Sequence, residues 1–280
     1  MTRKIYYISD FFVEHVLGGA EINDNVLLNE VLNRRVERMQ SHMVSLDLLR
    51  KNAESLFIIS NFINLSETCK DFLQKKCEYI IYEHDHKYLR SRNPGQFANF
   101  KAPPTAIVNL NFYKNAKKVI CQSEFHLSIL KKNLNINNLI NVSGNLWSSK
   151  SLDFMRKLNK KEKKQECSIM DSNINHKNTL GAVTYCKIKN KNYNLIKSSE
   201  YFTFLDRLSD SSTFVFFPNS PETLSRITVE ARMLGMKTIT NRSIGAVHEA
   251  WFSLKGEKLI DYMVQKKEQI ANTIIGIVNE

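Results

Sequence analysis

Two carboxylates carry the first chemical signal. Glu222 and Glu230 lie eight positions apart in Pro221-Glu222-Thr223-Leu224-Ser225-Arg226-Ile227-Thr228-Val229-Glu230-Ala231. On one helix, at about 1.5 Å per residue, they would stand roughly 12 Å apart. A carboxylate accepts hydrogen bonds from both hydroxyls of a ribose, and a second one near the helix start can face a sugar. Such a pair suits the two ends of a nucleotide-sugar. The competing reading is a surface helix on which Arg226 bridges both glutamates at i,i+4 spacing.

Two further stretches are rich in chemistry. In Glu83-His84-Asp85-His86-Lys87-Tyr88-Leu89, charged and titratable side chains leave a strand end together. A polar loop with incidental charges is the plain alternative; zinc would need a third ligand, and no well-placed partner is visible. In Gly18-Gly19-Ala20-Glu21, a glycine pair after a strand and before a helix bares backbone N–H groups that suit an anion, or simply makes a tight turn.

The surrounding patterns place these residues. Thr213–Pro218 has the apolar, β-branched and aromatic content of a buried strand. Ser220 as N-cap, Pro221 at the first helical position and Glu222 in the first turn predict a helix that Gly235 ends, with the next strand at Lys237–Thr240. Lys4–Ser9, Leu56–Ser60, Tyr79–Tyr82 and Lys117–Cys121 read as earlier strands. Helices are expected at 66–75 and 105–115, and after Ser123. Strands alternating with helices predict an α/β chain with parallel sheets and ligands at the strands' carboxyl ends.

A chain of 280 residues with 42% hydrophobic content suits two domains. The first is expected over 1–150, a basic linker over 151–166, the second over 167–256, and a helix at 257–280 that packs back on the first. The opening reads as a strand and not a leader, and no apolar run approaches membrane-spanning length, so a cytoplasmic protein is expected. Cysteines 69, 77, 121, 167 and 186 show no metal or disulfide spacing and read as reduced core residues. A net charge of +12 fits duplex DNA or an anionic membrane surface as partner, although AT-rich coding bias also enriches lysine.

Pro221-Glu222, seven residues, Glu230-Ala231 and then Leu234-Gly235 resemble the Glu-x7-Glu signature of retaining GT-B glycosyltransferases of the glycogen-synthase/family-4 type. The resemblance implies two Rossmann-like domains facing across a cleft and a nucleoside-diphosphate sugar, such as UDP-glucose, as donor. It implies Glu230 at the donor ribose, Glu222 near the transferred sugar, Thr223 beside the donor, and Gly18 and Gly19 toward the diphosphate. Of the family's Arg-x4-Lys-Gly element, Lys177 is present, while Ser172 replaces the arginine and Asn178 the glycine. Phosphate neutralisation then falls to Lys177, a helix N-terminus and Arg226, the last an inference from this sequence and not a family residue. No cofactor or obligate metal is expected, in keeping with the lack of an Asp-x-Asp motif.

Tyr82, His84-Asp85-His86 and Leu89, with Arg92 just beyond, resemble the Tyr-x-His-Asp-His-x-x-Leu segment of T-even phage DNA α-glucosyltransferases, which modify hydroxymethylcytosine in duplex DNA. This local resemblance implies His84 and Asp85 at the reacting acceptor, with His86 and Arg92 binding it; Glu21, in the loop with Gly18 and Gly19, is also expected to bind the acceptor. It favours a 5-hydroxymethylpyrimidine in DNA as acceptor. The alternatives are a transferase of surface polysaccharide or glycolipid assembly, and a non-catalytic nucleic-acid-binding protein of the same fold.

Overall fold

The computed structural model of the chain describes residues 3–32, 36–197 and 200–280. Met1 and Thr2, at the head of the expected first strand, lie outside the described residues. The chain divides into two units: Met1–Ser143 with Ile270–Glu280, and Gly144–Gln269.

Unit 1 is built from β1 (Ile5–Ser9), α1 (Gly19–Val26), β2 (Val36–Gln40), α2 (Leu46–Lys51), β3 (Leu56–Ile59), α3 (Glu67–Lys76), β4 (Glu78–Tyr82), α4 (Leu110–Lys114), β5 (Lys118–Cys121), α5 (Glu124–Leu134) and β6 (Leu139–Asn141). Its strands pair in parallel in the order β2-β1-β3-β4-β5-β6. Central strands covered on both faces need continuous apolar runs, and β1 and β3 are buried along their whole length. Serines open α2, α3 and α5: Ser45, Ser66 and Ser123 each accept from the N–H three residues on.

Unit 2 follows with α6 (Ser149–Asn159), β7 (Lys164–Asp171), α7 (Thr179–Ile188), β8 (Tyr193–Lys197), α8 (Tyr201–Leu208), β9 (Ser211–Phe216), α9 (Arg226–Met233), β10 (Lys237–Thr240) and the start of α10 (Glu257–Asn279), whose residues from Ile270 on belong to unit 1. Its parallel order is β10-β9-β7-β8. Each sheet reverses its winding once, between β1 and β3 in unit 1 and between β7 and β9 in unit 2. Open α/β sheets bind ligands at the carboxyl ends of such strand pairs.

Several expectations change. The expected basic linker at 151–166 is α6 followed by the start of β7. Leu152, Met155 and Leu158 recur every third residue and are buried, an apolar stripe that the surrounding lysines mask in composition. The expected helix at 105–115 is split: Asn109 is left-handed at φ 55, so only Leu110–Lys114 is α-helical, and Ile107 bridges Leu89 instead. β2 and α2 were not expected. β2 mixes polar and apolar residues at the sheet edge, where only partial burial is needed.

The largest change concerns the two glutamates. α9 begins at Arg226, so Glu222 is not on it. The Glu222 backbone is used in a strand-like bridge, donating to the Ser243 carbonyl at 2.7 Å and accepting from Gly245 N–H at 2.9 Å. Ser225, left-handed at φ 71, then turns the chain into the helix. Gly235 does end the segment as expected, at φ +74. All five cysteines are free.

Candidate functional site

In unit 2 the predicted donor residues gather behind β7 and β9. Lys177, in the loop after β7, donates to Glu222 Oε1 at 2.7 Å from the loop after β9. Both stay reachable, with side chains 25% and 16% exposed. The loop depends on Asn178, which sits in the left-handed region at φ 54 and caps α7 by accepting from Gly181 N–H. Asparagine is the residue besides glycine that visits this conformation readily, so the backbone tolerates the departure from the family's glycine. Thr223, half-buried, lies between Glu222 and the left-handed turn.

Glu230 is 3% exposed, and one of its oxygens is saturated. Oε1 accepts from Trp147 Nε1 at 3.0 Å and from the Tyr201 hydroxyl at 2.6 Å. Arg226 Nε stands 2.9 Å from the same oxygen, as an ion pair and not an aligned hydrogen bond. Oε2 has no partner among the described residues. Arg226 was expected to reach the donor phosphates, but it is buried and committed elsewhere. Besides Glu230 it donates to the Leu146 carbonyl at 2.7 Å and stacks on Trp147, 4.6 Å from the ring centre. The bridging alternative is half met: Arg226 pairs with Glu230, while Glu222 pairs with Lys177. Burial, then the adjacent carboxylate, push the Tyr201 phenol up, so it remains a donor.

In unit 1 the Glu83–Leu89 cluster turns mostly inward. Glu83 and Lys87 form a fully buried ion pair at 2.7 Å. Glu83 also accepts from Asp85 N–H at 2.9 Å and from the Tyr113 hydroxyl. His86, expected to bind the acceptor, is 1% exposed and packs edge-on against Tyr88 and His126, so it cannot reach one in this arrangement. Asp85 and Arg92 do face solvent and pair with each other at 3.3 Å. Among the described residues no group of three or more His, Cys, Asp or Glu is placed to hold a metal ion.

His84 is fixed by hydrogen-bond stoichiometry. Gln122 Nε2 donates to the Glu83 carbonyl at 2.9 Å, which can only accept, so this nitrogen is the amide NH2. Its other hydrogen meets His84 Nδ1 at 2.7 Å, which must therefore be the unprotonated nitrogen. The ring proton lies on Nε2 and is donated to Asp24 Oδ1 at 2.6 Å. Asp24 is itself buried and accepts from Ser60 at the carboxyl end of β3. His84, expected as a catalytic group, thus has both ring nitrogens engaged.

Gly18 and Gly19 do open α1. A side chain at Gly18 would collide with Glu21 Oε2, so the Glu21 carboxylate folds back over the helix start where an anion was expected. Burial raises the Glu21 pKa above the ordinary carboxylate value, with the backbone N–H pulling the other way. Asp10 gathers the neighbouring loops, accepting from Ser41, Ile63 N–H and Asn64 N–H.

Trp147, Tyr201, Asp24 and Gln122 escaped the sequence reading. Trp147 and Tyr201 lie 83 and 29 residues from Glu230, so no local pattern joins them. Asp24 was findable, one turn beyond Glu21 on the same helix.

No protein-family model matches the sequence, and no curated protein matches it. Solved structures do resemble it. A UDP-forming trehalose-phosphate synthase from Burkholderia vietnamiensis is 8% identical, over 100% of this chain and 94% of that one, with a TM-score of 0.55. The Anabaena HepE protein, solved with UDP-glucose, is 12% identical over 96% and 92%, with a TM-score of 0.53. A UDP-GlcNAc 2-epimerase from Neisseria meningitidis, solved with UDP-GlcNAc, is 12% identical over 99% and 99%, with a TM-score of 0.51. These likenesses establish the GT-B fold. Because a UDP-forming synthase and an epimerase share it, the reaction must be argued from the site.

Proposed function

We propose that the chain is a glycosyltransferase that moves a hexose, glucose by preference, from a UDP-sugar to a hydroxyl with retention of anomeric configuration. One observation carries the reading: Glu230 has one oxygen pinned by two donors and an ion pair and the other left for a ligand, in the same unit as an accessible Lys177–Glu222 pair in the loops after β7 and β9. Glu230 Oε2 takes the ribose hydroxyls. The diphosphate replaces Glu222 as the partner of Lys177, and Glu222 is released toward the sugar.

The bond from the anomeric carbon to the phosphate oxygen breaks, and the bond to the acceptor oxygen forms on the same face. Lys177 and backbone N–H groups of the loops after β7 and β9 stabilise the charge that develops on the diphosphate. The departing phosphate takes the acceptor proton, so no side-chain base is obligatory and none of these steps calls on a metal. Asp85 and Arg92 orient the acceptor from the loop after β4.

The acceptor we favour is a 5-hydroxymethylpyrimidine in duplex DNA, on the strength of the Tyr82–Leu89 pattern and the +12 charge. A lipid-linked or polysaccharide acceptor at an anionic membrane is the second reading. It is supported by the exposed Phe11, Val16 and Leu17 in the loop after β1. Among the described residues no helix is long and apolar enough to cross a membrane.

Incubation with labelled UDP-glucose and either hydroxymethylcytosine DNA or lipid-linked acceptor separates the readings. Label in DNA is the expected result, and label only in lipid selects the second acceptor. Altered or hydrolysed sugar with no acceptor labelled, across a panel of nucleotide-sugars, contradicts transfer.

A further inference from the structure

We infer that Trp147 and Tyr201 are positioning residues that make the donor site selective for a ribonucleotide over a deoxyribonucleotide. The inference rests on the reading of Glu230 as the ribose-binding carboxylate.

An indole N–H can only donate, so Glu230 Oε1 accepts from Trp147, while the Arg226 guanidinium faces the same oxygen as an ion pair. The Tyr201 hydroxyl is the third group on that oxygen, at 2.6 Å. A carboxylate oxygen offers about two lone-pair directions, so Trp147 and Tyr201 fill them and Arg226 adds its charge. Whatever Glu230 recognises must then be read by Oε2 alone, with the carboxylate plane fixed by residues from three separate segments.

Those segments are themselves locked together. Arg226 lies over the Trp147 ring at 4.6 Å and near the Tyr201 ring at 5.8 Å, and it ties down the Leu146 carbonyl beside Trp147. The carboxylate therefore cannot rotate to offer Oε1 instead without losing three contacts. A ribose diol meets one oriented acceptor, and a sugar lacking a hydroxyl leaves a nearly buried charged oxygen underused. Failure to satisfy a buried polar group gives sharper discrimination than a missing apolar contact does.

The test is calorimetric binding of UDP and of 2′-deoxy-UDP to the wild-type chain, Tyr201→Phe, Trp147→Phe and the double variant. Thermal melts confirm folding. Both substitutions keep an aromatic ring beside Arg226 and remove the donor to Oε1; Tyr201→Phe also gives up a 3.4 Å contact from Arg226 Nη2, and Trp147→Phe also trims a buried ring. Wild type is expected to prefer UDP by about tenfold or more, the scale of one hydrogen bond to a charged group. The double variant is expected to bring that preference close to unity, mainly by weakening UDP.

An unchanged ratio, whether both nucleotides weaken equally or neither does, overturns the inference. If wild type binds UDP without preferring the ribose, the inference fails while the donor reading survives. If wild type binds no nucleotide, both fail. Should the double variant not fold, the same ratio in Tyr201→Phe decides, because it deletes a single oxygen from a partly buried ring.

Discussion

The two reversal points, one in each sheet, hold the same kinds of side chain and use them in opposite ways. Between β1 and β3 of unit 1, Asp24, Ser60, His84 and Gln122 satisfy one another, Asp10 is filled by Ser41 and two backbone N–H groups, and the nearby Glu83–Lys87 pair has no exposed side-chain surface. Between β7 and β9 of unit 2, Lys177 and Glu222 form an ion pair of the same 2.7 Å length yet remain partly open to solvent. Glu230 keeps one oxygen uncommitted. Charge density alone therefore does not mark a site. What distinguishes unit 2 is a valence left over after the fold has been satisfied.

Breaking the buried pair should have the largest effect. Lys87→Met leaves the Glu83 carboxylate without its cation in a site closed to water, and removing one partner of such a pair costs about 3–5 kcal/mol. Urea denaturation is expected to register a loss of that size. Lys177→Met, at the exposed pair, should cost about 1 kcal/mol or less, in line with surface ion pairs. Equal losses would erase the contrast between the two regions.

A smaller effect sharpens it. Folding raises the Glu21 pKa through burial, so the folded chain holds that proton more tightly than the unfolded chain does. The resulting stability is fully present below the unfolded carboxylate pKa and is lost as pH rises through the raised value. Glu21→Gln should therefore gain stability relative to wild type at neutral pH and show no such gain in acid. Melting curves across that interval check it, and a constant difference at all pH values would contradict it.

Much of this architecture is legible in the residues. The apolar runs at Ile5–Ser9, Leu56–Ile59 and Ser211–Phe216 allow little but buried parallel strands, and the serines before α3 and α5 mark where those helices start. Lys177, Glu222 and Glu230 were named from their types and spacing. Their geometry was not legible, because a helix-cap pattern at Ser220-Pro221 lost to backbone pairing between Glu222 and the segment Ser243–Gly245, about twenty residues later in the chain. The inward turn of His84 and His86 was equally hidden. It depends on Gln122 and His126, which only the neighbouring strand and helix bring close. Tertiary partners decide which titratable residues are spent on the fold, and local sequence does not report them.

The central claim is that Glu230 and Lys177 hold the two ends of a nucleoside diphosphate. A crystal soaked with UDP-glucose tests it most directly. Ribose oxygens within hydrogen-bond reach of Glu230 Oε2, with the diphosphate at Lys177 in place of Glu222, are predicted. Donor bound elsewhere, or a Lys177–Glu222 pair left intact beside bound donor, would contradict it.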